Sequence, residues 1–216
     1  AIIGFSGAMK DELFGPHGSQ RYREYSALIN ESGEHLLALV EDIMQVASED
    51  AQSRDRLTEL VDLGTIAADV SEMISMAYGN RCRHVLSVAD DAPPVKGDRR
   101  QIKQLMINLL DNAEKYSPED SSVEIRISRD LEHGAVLKVI DHGYGMTEEE
   151  IAESLQPFGR GTDPHVRQKK GAGLGLAVVL SIVERHGARM HIDSSKGEGT
   201  DVTVIFAPAL QEEAAA

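Results

Sequence analysis

Residues 108 to 117, "NLLDNAEKYS", set two amides four positions apart, Asn108 and Asn112, with an ammonium, Lys115, three further on. At about 100° per residue these three cluster on one side of a helix. They lie roughly 100° round from an apolar stripe of Ile102, Met106, Leu109, Ala113 and Tyr116. Gln101 and Gln104 extend the polar ribbon. Asparagine is a mediocre helix former, so two inside one helix argue for side-chain work. An amide oxygen suits one position on Mg²⁺, with phosphate oxygens and waters in the others. A lysine one turn away neutralises phosphate. The same ribbon also fits a hydrogen-bonded polar border that holds no ligand.

A second candidate is "DHGYGM", 141 to 146, where Asp141 ends the apolar run "AVLKVI" and Gly143 and Gly145 follow. A buried carboxylate accepts a hydrogen bond from an adenine amino group, and glycines let the backbone turn sharply against a flat ring. Alone, the stretch is equally a strand followed by a turn. A third is "GAGLGLAVVLSIVERHG", 171 to 187, in which Gly171, Gly173 and Gly175 open an apolar helix. Free backbone N–H groups and the helix dipole at such a start suit phosphate. The spacing is not that of a Rossmann fingerprint, and no Gly-Lys-Ser/Thr of a P-loop occurs. Fourth, Arg160, Arg167, Lys169 and Lys170 face a single acid, Asp163, across residues 160 to 170. That basic loop suits a lid over a polyphosphate, or is a solvated loop of chance composition.

These residues need a scaffold. Helices are expected near 64–78, 99–116 and 173–186, and strands near 83–89, 122–128, 135–141, 188–193 and 200–206. The neighbouring strands 122–128 and 135–141 should pair antiparallel, and helices layered on such a sheet give an α+β sandwich. Residues 145 to 172 form a long Gly-rich, charged stretch with one short helix, and loops of this length are usually functional. The first fifty residues have helical period: 1–13, a break at "FGPHGS", then roughly 21–47. Two helices around a Gly/Pro turn make an antiparallel hairpin, whose unburied stripe is expected to dimerise into a four-helix bundle. "SEDAQSRDR", 48 to 56, reads as a linker.

Of the 216 residues 41% are hydrophobic but only 4% aromatic, so the core must be mainly aliphatic. The net charge of −14 argues against nucleic acid or an anionic membrane as the main partner. The single cysteine, Cys82, allows no intramolecular disulfide and fits a reducing compartment. No apolar run reaches membrane-spanning length, and no signal-peptide pattern opens the chain. A cytoplasmic location is expected, within a parent that extends before Ala1.

Taken in order, the motifs resemble the ATP-binding domain of sensor histidine kinases, in the wider family that includes gyrase B and MutL. "NLLDNAEKYS" looks like the N box, "DHGYGM" the G1 box, "PFGRG" (157–161) the F box and "GAGLGL" the G2 box. "GEGTDVTVIF" (197–206) looks like the last glycine box and its strand. The hairpin is similar to the tail of a HisKA dimerisation domain, and the finer likeness is to PleC/DivJ-like bacterial kinases. The resemblance implies two domains: a truncated dimerisation and phosphotransfer hairpin over 1–50, and a catalytic domain of the Bergerat (GHKL) fold over 57–210. It implies ATP and Mg²⁺ as cofactors, a response-regulator receiver domain as partner and a homodimer through the hairpin. Asn112 would ligate Mg²⁺, with Asn108, Lys115 and Tyr116 at the phosphate end. Asp141 would read the adenine, lined by Gly143, Gly145 and Met146 and helped by Thr200 through water. Gly171, Gly173, Leu174, Gly175 and Leu176 would hold phosphate, and Arg160 would reach phosphate or the hairpin.

Two positions depart from the pattern. His142 stands where the family usually has Asn or Thr. None of the eight histidines, at 17, 35, 84, 133, 142, 165, 186 and 191, is followed by Asp or Glu, as a phosphoacceptor normally is. The acceptor is expected before Ala1, so this stretch alone is not expected to autophosphorylate. The alternative is a nucleotide-binding module that docks a response regulator without transferring phosphate. A gyrase-like ATPase ranks last, because that branch has a glutamate base where this chain has Asn108.

Overall fold

The computed structural model describes residues 2–13, 15, 22, 25, 26, 29, 59–130, 134–159 and 173–208. The chain divides into two compact units, Ala1–Ala51 and Gln52–Ala216. In the first, α1 (Ile2–Lys10) is helical as its period requires. Ile2, Phe5 and Met9, spaced three and four apart, are exposed on it. Of the helix expected over 21–47, Tyr22, Tyr25, Ser26 and Ile29 are described and all are helical. The remainder of that helix, the "FGPHGS" break save Gly15, and the linker at 48–56 lie outside the described residues.

The second unit runs β1 (Glu59–Val61), α2 (Leu63–Ala77), β2 (Arg83–Val88), β3 (Val95–Gly97), α3 (Arg99–Tyr116), β4 (Ser122–Asp130), β5 (Gly134–Asp141), α4 (Glu148–Ser154), α5 (Gly175–Arg185), β6 (Arg189–Ser195) and β7 (Gly199–Ile205). The five-stranded sheet has the order β2-β4-β5-β7-β6. Its β2–β4 pair is parallel, and the other pairs are antiparallel. Strands β4 and β5 pair antiparallel, as their short connection leads one to expect. Strands β1 and β3 form a separate antiparallel pair; at three residues each they are too short to show a period.

Successive strand residues face opposite sides. Val123, Ile125 and Ile127 of β4, Ala135, Leu137 and Val139 of β5, and Val202 and Val204 of β7 are therefore buried on one face. Leu63, Ile66, Ala67, Val70 and Ile74 of α2 and Val178, Val179, Ile182 and Val183 of α5 complete this core. The opposite face carries ion pairs such as Lys138 with Asp201 at 2.5 Å. The result is the expected α+β sandwich.

Helix α3 lies between α2 and α5 as well as on the sheet. Its buried face is accordingly wider than a five-residue stripe: Leu105, Leu110 and Glu114 are buried with Ile102, Met106, Leu109 and Ala113, whereas Tyr116 is half-buried. The Asp98 carboxylate caps its start, accepting from the N–H of Arg100 at 2.8 Å and of Gln101 at 3.4 Å. His186 anchors the same end to the last turn of α5. Its Nε2 accepts from the Asp98 N–H at 3.1 Å while Nδ1 lies 2.8 Å from the Ile182 carbonyl. That pattern requires the neutral ring with its proton on Nδ1.

Glu114 is fully buried on the flank of α3 away from Asn112. Its Oε1 lies 2.9 Å from His84 Nε2, and its Oε2 lies 3.8 Å from Arg81 Nε. The other ring nitrogen of His84 meets Ser71 Oγ at 3.0 Å. This polar pin ties β2 and α2 to the helix that carries the asparagines.

Candidate functional site

Asp141 is the last residue of β5, in register with Thr200 of β7. Its Oδ1 accepts from the Gly143 N–H at 2.8 Å, a local turn that the aspartate itself closes, and from the Thr200 N–H at 3.2 Å. Among the described residues Oδ2 has no hydrogen-bond partner. Burial pushes the carboxyl up to about 6, and the Gly143 and Thr200 amides and nearby His142 only partly offset it. Desolvation therefore wins over hydrogen bonding at this carboxylate.

The backbone around Asp141 is packed too closely for side chains. Gly145 has φ +62°, and a Cβ there would stand 1.8 Å from the Ser195 carbonyl oxygen. Gly199 has φ +90°, and its Cβ would stand 2.0 Å from the Asp141 carbonyl oxygen. Ser194 ties the same strands together: Oγ accepts from the Met146 N–H at 2.8 Å, donates to the Gly199 carbonyl at 2.8 Å and lies 3.1 Å from Thr200 Oγ1. The C-terminus of α3 joins this cluster through the Tyr116 carbonyl, which accepts from the Tyr144 N–H at 3.3 Å.

The other end of the site is built on α3 and α5. Helix α5 starts after Leu174 with no side-chain cap, so its first N–H groups and positive dipole end face outward from the helix. A Cβ on Gly175 would lie 3.3 Å from Asn112 Nδ2 and 3.5 Å from Oδ1, so the Asn112 amide sits against that opening turn. Gly173, at φ +73°, bends the chain into it; Leu174 is buried and Leu176 half-buried. Asn108 Oδ1 accepts from Gln104 Nε2 at 3.3 Å, while its buried Nδ2 has no partner among the described residues. Lys115 Nζ lies 2.5 Å from Asp111 Oδ2.

The structure thus groups Tyr116, Asp141, Gly143, Gly145, Met146 and Thr200 at one place, and Asn112 with Gly175 at another. Asn108 lies a turn back from Asn112, and Lys115 faces its own helix neighbour, Asp111. From Asn108 to Tyr116 the axis rises roughly 12 Å. Arg160 and Gly171 fall outside the described residues, as does the basic stretch 160–170. Asp111 and Ser194 carry parts of the site that the motifs did not single out. Asp111 was legible as the acid four positions before Lys115, whereas Ser194 is recruited only by the β6–β7 pairing opposite Thr200. A surface groove of about 1160 Å³, lined by Ser71, Asn80, Arg81 and His84, meets this region only at His142.

The family model of histidine kinase-, DNA gyrase B- and HSP90-like ATPases matches residues 97–210. The cell-division control histidine kinase PdhS of Brucella abortus (strain S19) is 36% identical over 219 residues, spanning 96% of this chain and 21% of that protein. PdhS of Brucella suis (strain ATCC 23445 / NCTC 10510) is 36% identical over 218 residues. The chain thus spans about a fifth of the length of the curated relatives it matches. Among solved structures, full-length ShkA in complex with AMPPNP superposes with a TM-score of 0.73 at 24% identity, covering 96% of this chain and 42% of that one. The mycobacterial sensor histidine kinase MprB does so with a TM-score of 0.60 at 26% identity, covering 69% of this chain and 97% of that one. Because the family match takes in just over half of the 216 residues and includes every element that carries the site, the chain belongs to the histidine kinase-, DNA gyrase B- and HSP90-like ATPases, with its named relatives on the histidine kinase branch.

Proposed function

We propose that this chain is the ATP-binding catalytic core of a sensor histidine kinase and uses Mg²⁺–ATP. The observation that carries this reading is the Asn112 amide lying against the uncapped first turn of α5. An amide oxygen for a metal and N–H groups for phosphate meet there, and the buried Asn108 Nδ2, without a partner among the described residues, would donate to a phosphate oxygen. These residues fit the cofactor. Asn112 would hold Mg²⁺, Asn108, Lys115 and the glycine turn would hold phosphate oxygens, and Asp141 Oδ2 would accept from the adenine amino group. Gly143, Gly145 and Met146 would line the base beside Tyr116, with Thr200 fixed against Asp141. Gly171 would hold phosphate, and Arg160 would reach phosphate or the hairpin.

When bound, Mg²⁺–ATP supplies the γ-phosphoryl group, destined for a histidine outside this chain and then for a response-regulator aspartate. The chain's own residues would orient the base and neutralise the phosphates. The exposed Ile2, Phe5, Met9 and Leu13 of the first unit support a homodimer through the hairpin, since soluble monomers rarely leave such stripes open. No helix among the described residues is long and apolar enough to cross a membrane; the single cysteine accords with a cytoplasmic site of action, and the net charge of −14 argues against nucleic acid or an anionic membrane as the main partner.

Titration calorimetry tests this reading. The folded chain should bind ADP and ATP with Mg²⁺. Asn112→Ala should remove the Mg²⁺-dependent part of the affinity, and Asp141→Ala should weaken binding with or without metal. A folded chain that binds no nucleotide would overturn it.

A further inference from the structure

We propose that Asp111 and Tyr78 are positioning residues that hold the Lys115 ammonium ready for the phosphate end of the nucleotide; this rests on the nucleotide site proposed above. On α3, Asp111, Lys115, Asn108 and Asn112 fall in that order within an arc of about 100°. Asp111 therefore borders the polar ribbon directly. Both of its oxygens are engaged: Oδ2 by Lys115 Nζ at 2.5 Å, and Oδ1 by the Tyr78 hydroxyl, which donates at 2.6 Å. Tyr78 is the C-cap residue of α2, so a second element fixes the carboxylate. Burial first, and then the bond to Asp111, push the Tyr78 phenol up, so it stays a donor across the physiological range.

An isolated exposed lysine four residues from an aspartate exchanges its partner for water readily, because holding a long stem still costs entropy. Here the carboxylate is gripped from the other side, which restricts where the ammonium goes. A pre-placed ammonium loses less freedom when phosphate arrives. The sign of the effect separates this role from a plain counterion. A carboxylate near a polyanion repels it, so if Asp111 only balanced charge, its removal would tighten ATP binding. Positioning makes removal weaken it. Tyr78 carries no charge, so its loss tests the relay without altering the field. Neither residue belongs to the Asp141 cluster, so the effect should be confined to ligands that carry phosphate.

The experiment measures ATP, ADP and adenosine affinity by calorimetry for the wild-type chain, Tyr78→Phe and Asp111→Asn, each also in a Lys115→Met background. Both single variants should weaken ATP and ADP by about three- to tenfold and leave adenosine unchanged. Neither should matter once Lys115 is gone, since two groups acting through a third are not additive with its loss. Equal loss for adenosine, unchanged or tighter ATP binding, or an effect that survives in Lys115→Met would each overturn the proposal. The ¹⁵N signal of the Lys115 ammonium, read without nucleotide, should shift in Tyr78→Phe. A wild-type chain that binds no nucleotide would overturn the site reading. An unshifted ammonium signal with wild-type nucleotide binding intact would overturn the clamp alone.

Discussion

Asp141→Asn should stabilise the fold at neutral pH while impairing nucleotide binding. Burial holds the Asp141 carboxyl at about 6 in the folded chain, against 3.8 for an ordinary aspartate. Between those values the native state holds a proton that the unfolded state has released, so stability from this group falls as pH rises through the window. At about 1.4 kcal/mol per pKa unit, the charged form costs about 3 kcal/mol once pH is well above 6. Asparagine carries no such charge, and its carbonyl oxygen still accepts from the Gly143 and Thr200 amides. The variant should therefore gain about 2 to 3 kcal/mol relative to wild type on going from pH 4 to pH 8. Urea unfolding of both proteins across that range reads this difference, and groups common to both cancel. Nucleotide affinity should fall at the same time, because an amide NH₂ would replace the acceptor oxygen facing the adenine amino group. A stability difference that does not change with pH would refute the assignment of a desolvated, raised carboxyl.

His84→Ala removes the hydrogen-bond partner of the fully buried Glu114 Oε1, and leaving that buried oxygen unsatisfied should cost about 1 to 3 kcal/mol; a loss below about 0.5 kcal/mol in chemical denaturation would contradict the polar pin. Gly145→Ala places a Cβ 1.8 Å from the Ser195 carbonyl at a left-handed φ. It should lower the melting temperature and weaken adenosine as much as ATP, whereas binding at wild-type strength would show that the loop is not tight. In the first unit, Phe5→Glu on the exposed face of α1 should dissociate the proposed homodimer in sedimentation and leave nucleotide affinity intact. A wild-type monomer at high concentration would remove that reading.

The elements with strong local signals were legible in the sequence. The amphipathic period of α3 and the two neighbouring strand runs of β4 and β5 with their short connection depend only on neighbours along the chain. The ordered boxes around Asn112, Asp141 and Gly173 likewise indicated an ATP-binding sandwich before any fold was seen. Tertiary structure decided what those signals do not encode. Glu114 reads as a surface acid on a helix, yet it is buried because β2 and α2 close over that flank with His84 and Ser71. Ser194 acquires its place only because β6 pairs with β7 and sets it opposite Thr200. Asp111 becomes a shared acceptor only when the end of α2 brings the Tyr78 hydroxyl to it. In each case the partner comes from a distant part of the chain, and local pattern holds no record of which distant group folding will bring near.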